Sequence, residues 1–187
     1  MYKFIEVYEK YSNKKPVIDI GCGFNKLPIT DYVAFDKATI VGGYIGVVNH
    51  FGDFHDMSDF ADNTFEFINA THVLEHTHYP EKALKEWVRI LKIGGIMFLH
   101  WPNLPRHSRE EIQRFYQWEK MIVDDNMSAY EQSGGKMSWV SYDKNNKPFL
   151  DVHFNNMSMN EVKNLLPKSI KILEENNGFQ LILRKTG

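Results

Sequence analysis

The segment from Val17 to Gly23 constrains this chain most, because it joins a short apolar strand to an aspartate and a Gly-x-Gly turn. Glycine has no Cβ and adopts positive φ readily, so such a turn lets the backbone pass close to a ligand. In open α/β sheets, the turn after the first strand is where a nucleotide-like cofactor binds. The motif is weak evidence by itself, and its meaning depends on the elements that follow.

Size and composition limit the classes of protein that this chain can belong to. Its 187 residues, 43% of them hydrophobic, predict one domain with a substantial core. A net charge of −2 does not favour a general nucleic-acid or membrane-surface binder. The single cysteine, Cys22, is typical of a reducing compartment. Since there is no apolar signal segment and no run long enough to cross a bilayer, we expect a cytoplasmic protein without a membrane partner.

Hydrophobic runs and turn signals predict alternating strands and helices. Five strands are predicted. Four are at Val17–Ile20, Tyr32–Phe35, Phe65–Ala70 and Ile96–Leu99, and Val47–His50 leads into the third in chain order, which ends near Asp53. Amphipathic helices are predicted over residues 2–13 and 80–92, and Gly94-Gly95 marks the end of the second. This alternation predicts an α/β fold built on a doubly wound, mostly parallel sheet.

The C-terminal part follows a different pattern. Ser158 and Glu161 form a capping box that predicts the start of a helix. Two strands are predicted after it, at Ser169–Glu174 and Phe179–Arg184, with the turn signal Asn177-Gly178 between them. We therefore expect the sheet to end in an antiparallel hairpin.

Residues 103–153 form the least regular stretch, which we interpret as a helix plus long loops inserted after the fifth strand. It contains aromatic and basic residues among many polar ones, namely Arg106, His107, Arg109, Arg114, Tyr116, Trp118, Trp139 and Tyr142. Two interpretations stay open, a variable surface elaboration and a lid over an acceptor, since long loops in compact domains are often functional.

Several further motifs follow the glycine turn in a specific order and spacing. They are Asp19-Ile-Gly21-Cys-Gly23-Phe-Asn-Lys26, Asp36, Gly52-Asp53-Phe54, Phe60-Ala-Asp-Asn-Thr-Phe65-Glu66, His72-Val-Leu-Glu75-His76 and Trp87-Val-Arg-Ile-Leu-Lys-Ile-Gly94-Gly95. With these motifs the chain resembles the class I S-adenosylmethionine-dependent methyltransferases, of the broad group called type 11. The resemblance covers roughly residues 16–102. It implies a Rossmann-like methyltransferase fold over residues 1–187 and S-adenosylmethionine as the cofactor.

The resemblance also implies which residues bind the cofactor. They are Asp19, Gly21, Cys22, Gly23, Asp36, Lys37, Asp53, Phe54, Ala70, Thr71 and His72. Asp19 and the glycine turn would meet the methionine end, which carries an ammonium and a carboxylate. Asp36 lies 17 residues beyond Asp19, near the spacing at which an acid accepts hydrogen bonds from both ribose hydroxyls.

The acid beside the adenine has two candidates. Asp53 and Phe54 match the family's pair of an acid and an apolar ring, but Asp56-Met57 is a rival because the loop is one residue longer than the usual pattern. Residues 70–72 end the fourth strand, where the family contacts the reactive end of the cofactor.

Two other ligand classes are less favoured by the sequence. A nicotinamide fingerprint needs a third glycine where this chain has Lys26. His72 and His76 are four apart and would share one face of a helix, as metal ligands can. The segment straddles a strand end, however, and a strong third ligand is not evident, so no metal is expected.

The predicted reaction is an in-line displacement of the methyl group from sulfur to a nucleophile. Much of its catalysis can come from placing the two reactants, and a base is needed only if the acceptor must lose a proton. His76, His100 and His107 are the candidates for that base.

The acceptor class is narrowed by motifs that are missing. The fourth strand continues as Asn69-Ala-Thr-His72, not as the Asp/Asn-Pro-Pro-Tyr/Phe of amino-methylating nucleic-acid enzymes, and Cys22 does not follow a proline as in cytosine-C5 enzymes. We expect a small-molecule, sugar or lipid-linked acceptor and no nucleic acid. The alternative is a cofactor-binding domain without catalysis that serves as a partner or regulator. The intact acids and glycines favour the enzyme.

Overall fold

The computed structural model describes residues 3–41 and 44–187. The strands are β1 (Val17–Ile20), β2 (Tyr32–Asp36), β3 (Ala38–Val41), β4 (Tyr44–Ile45), β5 (His50–Phe51), β6 (Phe65–Thr71), β7 (Leu91–His100), β8 (Val140–Asp143), β9 (Pro148–Leu150), β10 (Ile170–Asn176) and β11 (Gln180–Lys185). The α-helices are α1 (Phe4–Tyr11), α2 (Pro80–Ile90), α3 (Arg109–Val123), α4 (Met127–Gln132) and α5 (Met159–Leu165). Single 3₁₀ turns form at Leu74–His76 and Met137–Trp139.

A seven-stranded sheet forms the centre of the molecule, in the order β10-β11-β7-β6-β1-β2-β5. The five strands from β7 to β5 are parallel, and β11 is antiparallel to both of its neighbours. The predicted α/β fold, with a mostly parallel sheet and an antiparallel C-terminal hairpin, is therefore confirmed. The Ser158 capping box is present as well, with the Ser158 Oγ accepting from the Glu161 N–H at the start of α5.

Apolar side chains cover both faces of the sheet, because successive residues of a strand point to opposite sides. On one face, Ile18 and Ile68 pack against α2 and α5. On the other, Val17 and Phe67 pack against α1, where Phe67 meets the ring of Tyr8 edge to face. Coverage on both sides explains why β1 is buried over its whole length.

The junction of α2 and β7 differs from the prediction. The helix ends at Ile90, so Gly94-Gly95 does not terminate it, and the strand begins at Leu91. Leu91 is fully buried and pairs with Phe65, but the register then shifts. Tertiary pairing of a buried leucine overrides the helical pattern here, and the glycines occupy an irregular part of the strand.

A second sheet, absent from the sequence prediction, has the order β4-β3-β8-β9. Its strand β3 begins just after β2, while β8 and β9 form a hairpin within the segment 103–153. That segment was predicted as one helix plus long loops, and the structure corrects this to α3, α4 and a paired hairpin. Ala38 pairs with Asp143, so the contact joins residues that no local pattern relates.

The segment 103–153, called the insertion below, has a hydrophobic cluster of its own. Trp118, Ile122 and Tyr130 are buried in it together with Val140 of β8. Trp118 therefore packs inside the insertion, and Arg106 pairs with Glu161 of α5. In the described ranges, none of the helices combines the length and apolarity needed to span a membrane.

Candidate active site

A cavity of about 650 Å³ opens at the carboxyl ends of β1, β2, β6 and β7. Side chains of the α1 face are apolar at the start of these strands and polar at their end. Val17 is followed on that face by Asp19, Phe67 by Asn69, and Phe98 by His100. The hydrophobic core thus passes directly into a polar site where the strands end, as expected for an open α/β sheet.

The glycine turn after β1 lines this cavity. Gly21 and Gly23 have φ of +67° and +53°, which only glycine adopts without strain. The N–H groups of Gly21 and Cys22 both donate to the carbonyl of Phe35, and that of Gly23 donates to Asp36. Because these three N–H groups already have acceptors, the turn lets a ligand come close to the backbone but does not offer it these N–H groups as donors. Burial raises the pKa of the Cys22 thiol, which fits a packing role.

Asp19 is the deepest carboxylate of the cavity and is 4% exposed. Its Oδ1 accepts a hydrogen bond of 2.5 Å from the Asn69 amide. Burial raises the pKa of Asp19 to about 7, Asn69 opposes this, and the nearby Asp36 adds to it. A bound cation would favour the ionised form of this group.

Asp36 ends β2, as predicted, and faces the cavity. Its two oxygens accept from the N–H groups of Gly23 and Ala38, at 2.9 and 3.0 Å. Asp36 thus holds the glycine turn while keeping lone pairs for a ligand. Lys37 lines the rim, with its ammonium 4.4 Å from the centre of the Phe149 ring of β9.

The structure separates the two candidate acids of the next loop. Asp53 and Phe54 line the cavity, whereas Asp56 borders a different cleft beside α2. The His55 ring donates to Asp53 over 2.7 Å and lowers the pKa of that carboxyl to about 2. Asp53 is therefore a fixed anion at the cavity wall.

The three predicted residues at the end of β6 differ in where their side chains lie. Thr71 and His72 line the cavity together with Asn69, but Ala70 is fully buried in the core on the other face. Alternation along the strand decides this, since side chains two apart share a face. His72 has a φ of +55°, and its Nδ1 lies 3.2 Å from Glu75.

Of the three candidate bases, His76 and His100 line the cavity and His107 does not. His107 packs edge to face on Phe115 and contacts Asn156, because the chain leaves the sheet edge after β7. Burial, reinforced by His72, lowers the pKa of His100 and favours its neutral form. Burial alone would lower the pKa of His76, but the Asp151 carboxylate 2.7 Å away outweighs it and raises the pKa.

Sequence analysis missed part of the lining. The insertion contributes Glu119, Phe149, Leu150, Asp151 and the adjoining Phe154. The arginines and tryptophans singled out in the sequence do not line the cavity. Period-two alternation from Thr71 would have found Asn69, but only the tertiary fold places the insertion residues.

Comparison with known proteins finds a family model that matches part of the chain. Residues 36–99 match the sequence profile of the type 11 family described as a methyltransferase domain. The matched residues make up about a third of the chain, so the comparison shows a likeness to this methyltransferase domain over that part. S-adenosylmethionine is the cofactor that the sequence resemblance implies. No curated protein matches the chain significantly.

Solved structures share the fold of this chain. A protein of Pyrococcus horikoshii OT3 is 18% identical, with a TM-score of 0.54 over 97% of this chain and 89% of its own. A Methanococcus maripaludis protein, provisionally named an S-adenosyl-L-methionine-dependent methyltransferase, is 20% identical, with a TM-score of 0.54 over 98% and 83%. A SAM-dependent methyltransferase of Methanosarcina mazei is 18% identical, with a TM-score of 0.51 over 99% and 98%.

The cavity fits the cofactor chemically. A buried carboxylate, Asp19, suits an ammonium, and Asp36 keeps acceptor lone pairs that suit hydroxyls. Asp53 and Phe54 place an acid beside an aromatic ring, as an adenine requires. These groups all line one cavity whose volume is typical of small-molecule sites.

Proposed function

We propose that the protein is a methyltransferase that acts on a small hydroxylated acceptor, either a free small molecule, a sugar or a lipid-linked intermediate. One observation carries the proposal. The cavity extends past the cofactor-binding residues into a half walled by the insertion, where Phe149 and Phe154 lie near Glu119, Asp151 and His78. Aromatic faces combined with a few hydrogen-bonding groups suit a compact polar ligand.

The charges of this acceptor half argue against a nucleic acid. Glu119 and Asp151 contribute carboxylates to the wall, and the whole chain carries a net charge of −2. Nucleic-acid binding draws most of its affinity from lysine and arginine contacts to phosphates. The carboxylates of this wall disfavour such a polyanion and favour a neutral acceptor with donor hydroxyls.

S-adenosylmethionine, when bound, supplies a methyl group that is already activated for displacement. The chain contributes placement and a proton acceptor. Phe149 and Phe154 exclude water and confine the acceptor, and placement alone can remove several kcal/mol of the barrier. The neutral His100 imidazole faces the cavity and can take the proton that an acceptor hydroxyl loses.

The test is methyl transfer to a defined panel of acceptors. The protein is incubated with S-adenosylmethionine and phenols, free sugars, lipid-linked sugars, a short RNA, a DNA duplex or a peptide mixture. We expect S-adenosylhomocysteine and a mass gain of one methyl group with one of the first three classes. Methylation of RNA, DNA or peptide alone would contradict the proposed acceptor.

A matched pair of variants separates the two halves of the cavity. Phe149→Ala should raise KM for the acceptor about tenfold and change cofactor affinity much less, since a ring that becomes buried on binding contributes roughly 1–3 kcal/mol. Asp36→Ala should instead weaken cofactor binding by about 1–3 kcal/mol, the usual range for hydrogen bonds to a charged group. An acceptor KM that does not change in Phe149→Ala would remove the insertion from acceptor binding.

A further inference from the structure

Four polar residues, Glu75, His76, Asp151 and His153, form a cluster beside the cavity, and two of them, His76 and Asp151, line it. Glu75, His76 and His153 each present one ligand atom, and these atoms all lie within 4.8 Å of one another. Glu75 and His76 come from the 3₁₀ turn after β6, and His153 comes from the segment that follows β9. The sequence argued against a metal because no third ligand was evident, and folding supplies one 77 residues further along the chain.

The Glu75 carboxylate lacks the partners that a buried charge needs. Its side chain is fully buried, and its Oε2 has no hydrogen-bond partner among the described residues. Its Oε1 lies 3.2 Å from His72 and 3.9 Å from His153. A buried carboxylate is costly unless it is paired or coordinates a metal. The Glu75 Oε2 is therefore a buried oxygen to which none of the described residues donates a hydrogen bond.

The orientation of His76 agrees with metal ligation. Its Nδ1 lies 2.7 Å from Asp151, which in turn accepts a hydrogen bond of 2.7 Å from Ser141. A carboxylate next to one imidazole nitrogen leaves the other nitrogen free for a metal, and such pairs accompany most histidine ligands. The centres of the His76 and His153 rings are 4.7 Å apart and the ring planes are at 83°, so the two imidazoles lie edge to face instead of stacking.

From this geometry we propose that Glu75, His76 and His153 bind a divalent first-row transition-metal ion such as Zn²⁺ or Co²⁺. Two imidazoles and one carboxylate suit these ions better than Mg²⁺, which prefers oxygen ligands. Ligand atoms of a tetrahedral zinc site lie about 3.3–3.6 Å apart, so modest side-chain rotation closes the observed cluster around an ion. Three protein ligands leave a coordination position open, and His76 places the site against the acceptor half of the cavity.

The test measures metal binding alone, with no acceptor and no cofactor, so its result is independent of the proposed function. The purified protein is treated with a chelator and titrated with Co²⁺, whose visible absorption reports coordination, and then with Zn²⁺ as a competitor. We expect one Co²⁺ per chain, displaced by Zn²⁺ but not by Mg²⁺, and a raised Tm for the loaded protein.

Variants assign the ligands. Glu75→Gln and His153→Gln should each weaken Co²⁺ binding at least tenfold, and Asp151→Asn, through His76, by about 10–100-fold. His107→Gln is the matched control, since that histidine lies outside the cavity and should bind Co²⁺ like the parent protein. If Glu75→Gln fails to fold, His153→Gln serves as the test, because the His153 side chain is partly exposed.

Three results would overturn the proposal. One is the absence of stoichiometric Co²⁺ binding by the parent protein. Another is unchanged Co²⁺ binding in His153→Gln and Asp151→Asn. The third is an equal loss in His107→Gln, which would show that the ion binds adventitiously to surface histidines.

Discussion

Asn69 donates a hydrogen bond of 2.5 Å to the carboxylate of Asp19 from the neighbouring strand, at the register position where the two residues pair. One amide hydrogen bond does not compensate for burying a full charge. Asp19 therefore holds its proton up to about pH 7 in the cofactor-free protein. The cavity thus contains a carboxylate whose ionised form is unfavourable unless a cation binds beside it.

Cofactor affinity should rise with pH because of this group. The pKa of Asp19 is raised to about 7, so the carboxyl is neutral below that pH and pairs poorly with the cofactor's ammonium. The dissociation constant should fall by up to about tenfold per pH unit between pH 5.5 and 7, and level off above. Calorimetric titration at several pH values in this range measures the dissociation constant. The release of a proton on cofactor binding should disappear above about pH 8.

The control for this prediction is Asp19→Asn, which has no proton to lose. Its cofactor affinity should be low and independent of pH. The stability of the cofactor-free parent protein should also decline as pH rises from about 4 to 8, because a raised pKa gives a stabilising contribution only while the group is protonated. A flat affinity profile in the parent protein would contradict the assignment of Asp19.

Replacing each of the two glycines of the turn by alanine should lower the free energy of unfolding by different amounts. A Cβ on Gly21 would lie 2.6 Å from the Val73 Cβ, whereas a Cβ on Gly23 would meet nothing within 4 Å. Gly23→Ala should cost only the left-handed backbone penalty of about 1–2 kcal/mol. Gly21→Ala should cost a further 1–3 kcal/mol or so for overpacking. Urea unfolding of both variants measures the difference, and equal losses would contradict the packing of Val73.

Asp53 and Asp56 provide a matched test of the adenine site. Asp53→Asn should weaken cofactor binding by about 1–3 kcal/mol, because a fixed anion at the cavity wall is neutralised. Asp56→Asn should change cofactor affinity by less than about 0.5 kcal/mol, as usual for surface substitutions. Calorimetry on both variants measures this, and a larger effect at Asp56 would move the adenine site to the cleft beside α2.

The two histidines near the end of β7 should also differ. His100→Gln removes the neutral imidazole from the cavity. If His100 acts as a general base, the variant should lower kcat by about 10²-fold or more and change cofactor affinity little. His107→Gln should leave kcat unchanged, since His107 contacts Phe115 and Asn156 outside the cavity. Steady-state kinetics with an identified acceptor decide this. A kcat preserved in His100→Gln would leave placement as the main source of catalysis.

Local sequence signals predicted the parts of the fold that depend on near neighbours. The buried strand β1, the capping box at Ser158 and the turn between β10 and β11 each depend on residues a few positions apart. Boundaries were less accurate where tertiary pairing competes with local preference. Leu91 shows this, because its pairing with Phe65 ends α2 before the glycines do.

By itself the sequence predicted the acids and glycines that line one part of the cavity, since these residues lie at the ends of strands with recognisable patterns. Asp19, Asp36 and Asp53 all reach the cavity from positions that motif spacing indicates. Only the tertiary structure decided which residues of the insertion line the other part of the cavity. The pairing of β3 with β8 brings residues about 100 positions apart together, and it sets Asp151 and His153 beside Glu75 and His76. Contacts of that sequence separation leave no periodic signal, because they depend on the path of the whole chain.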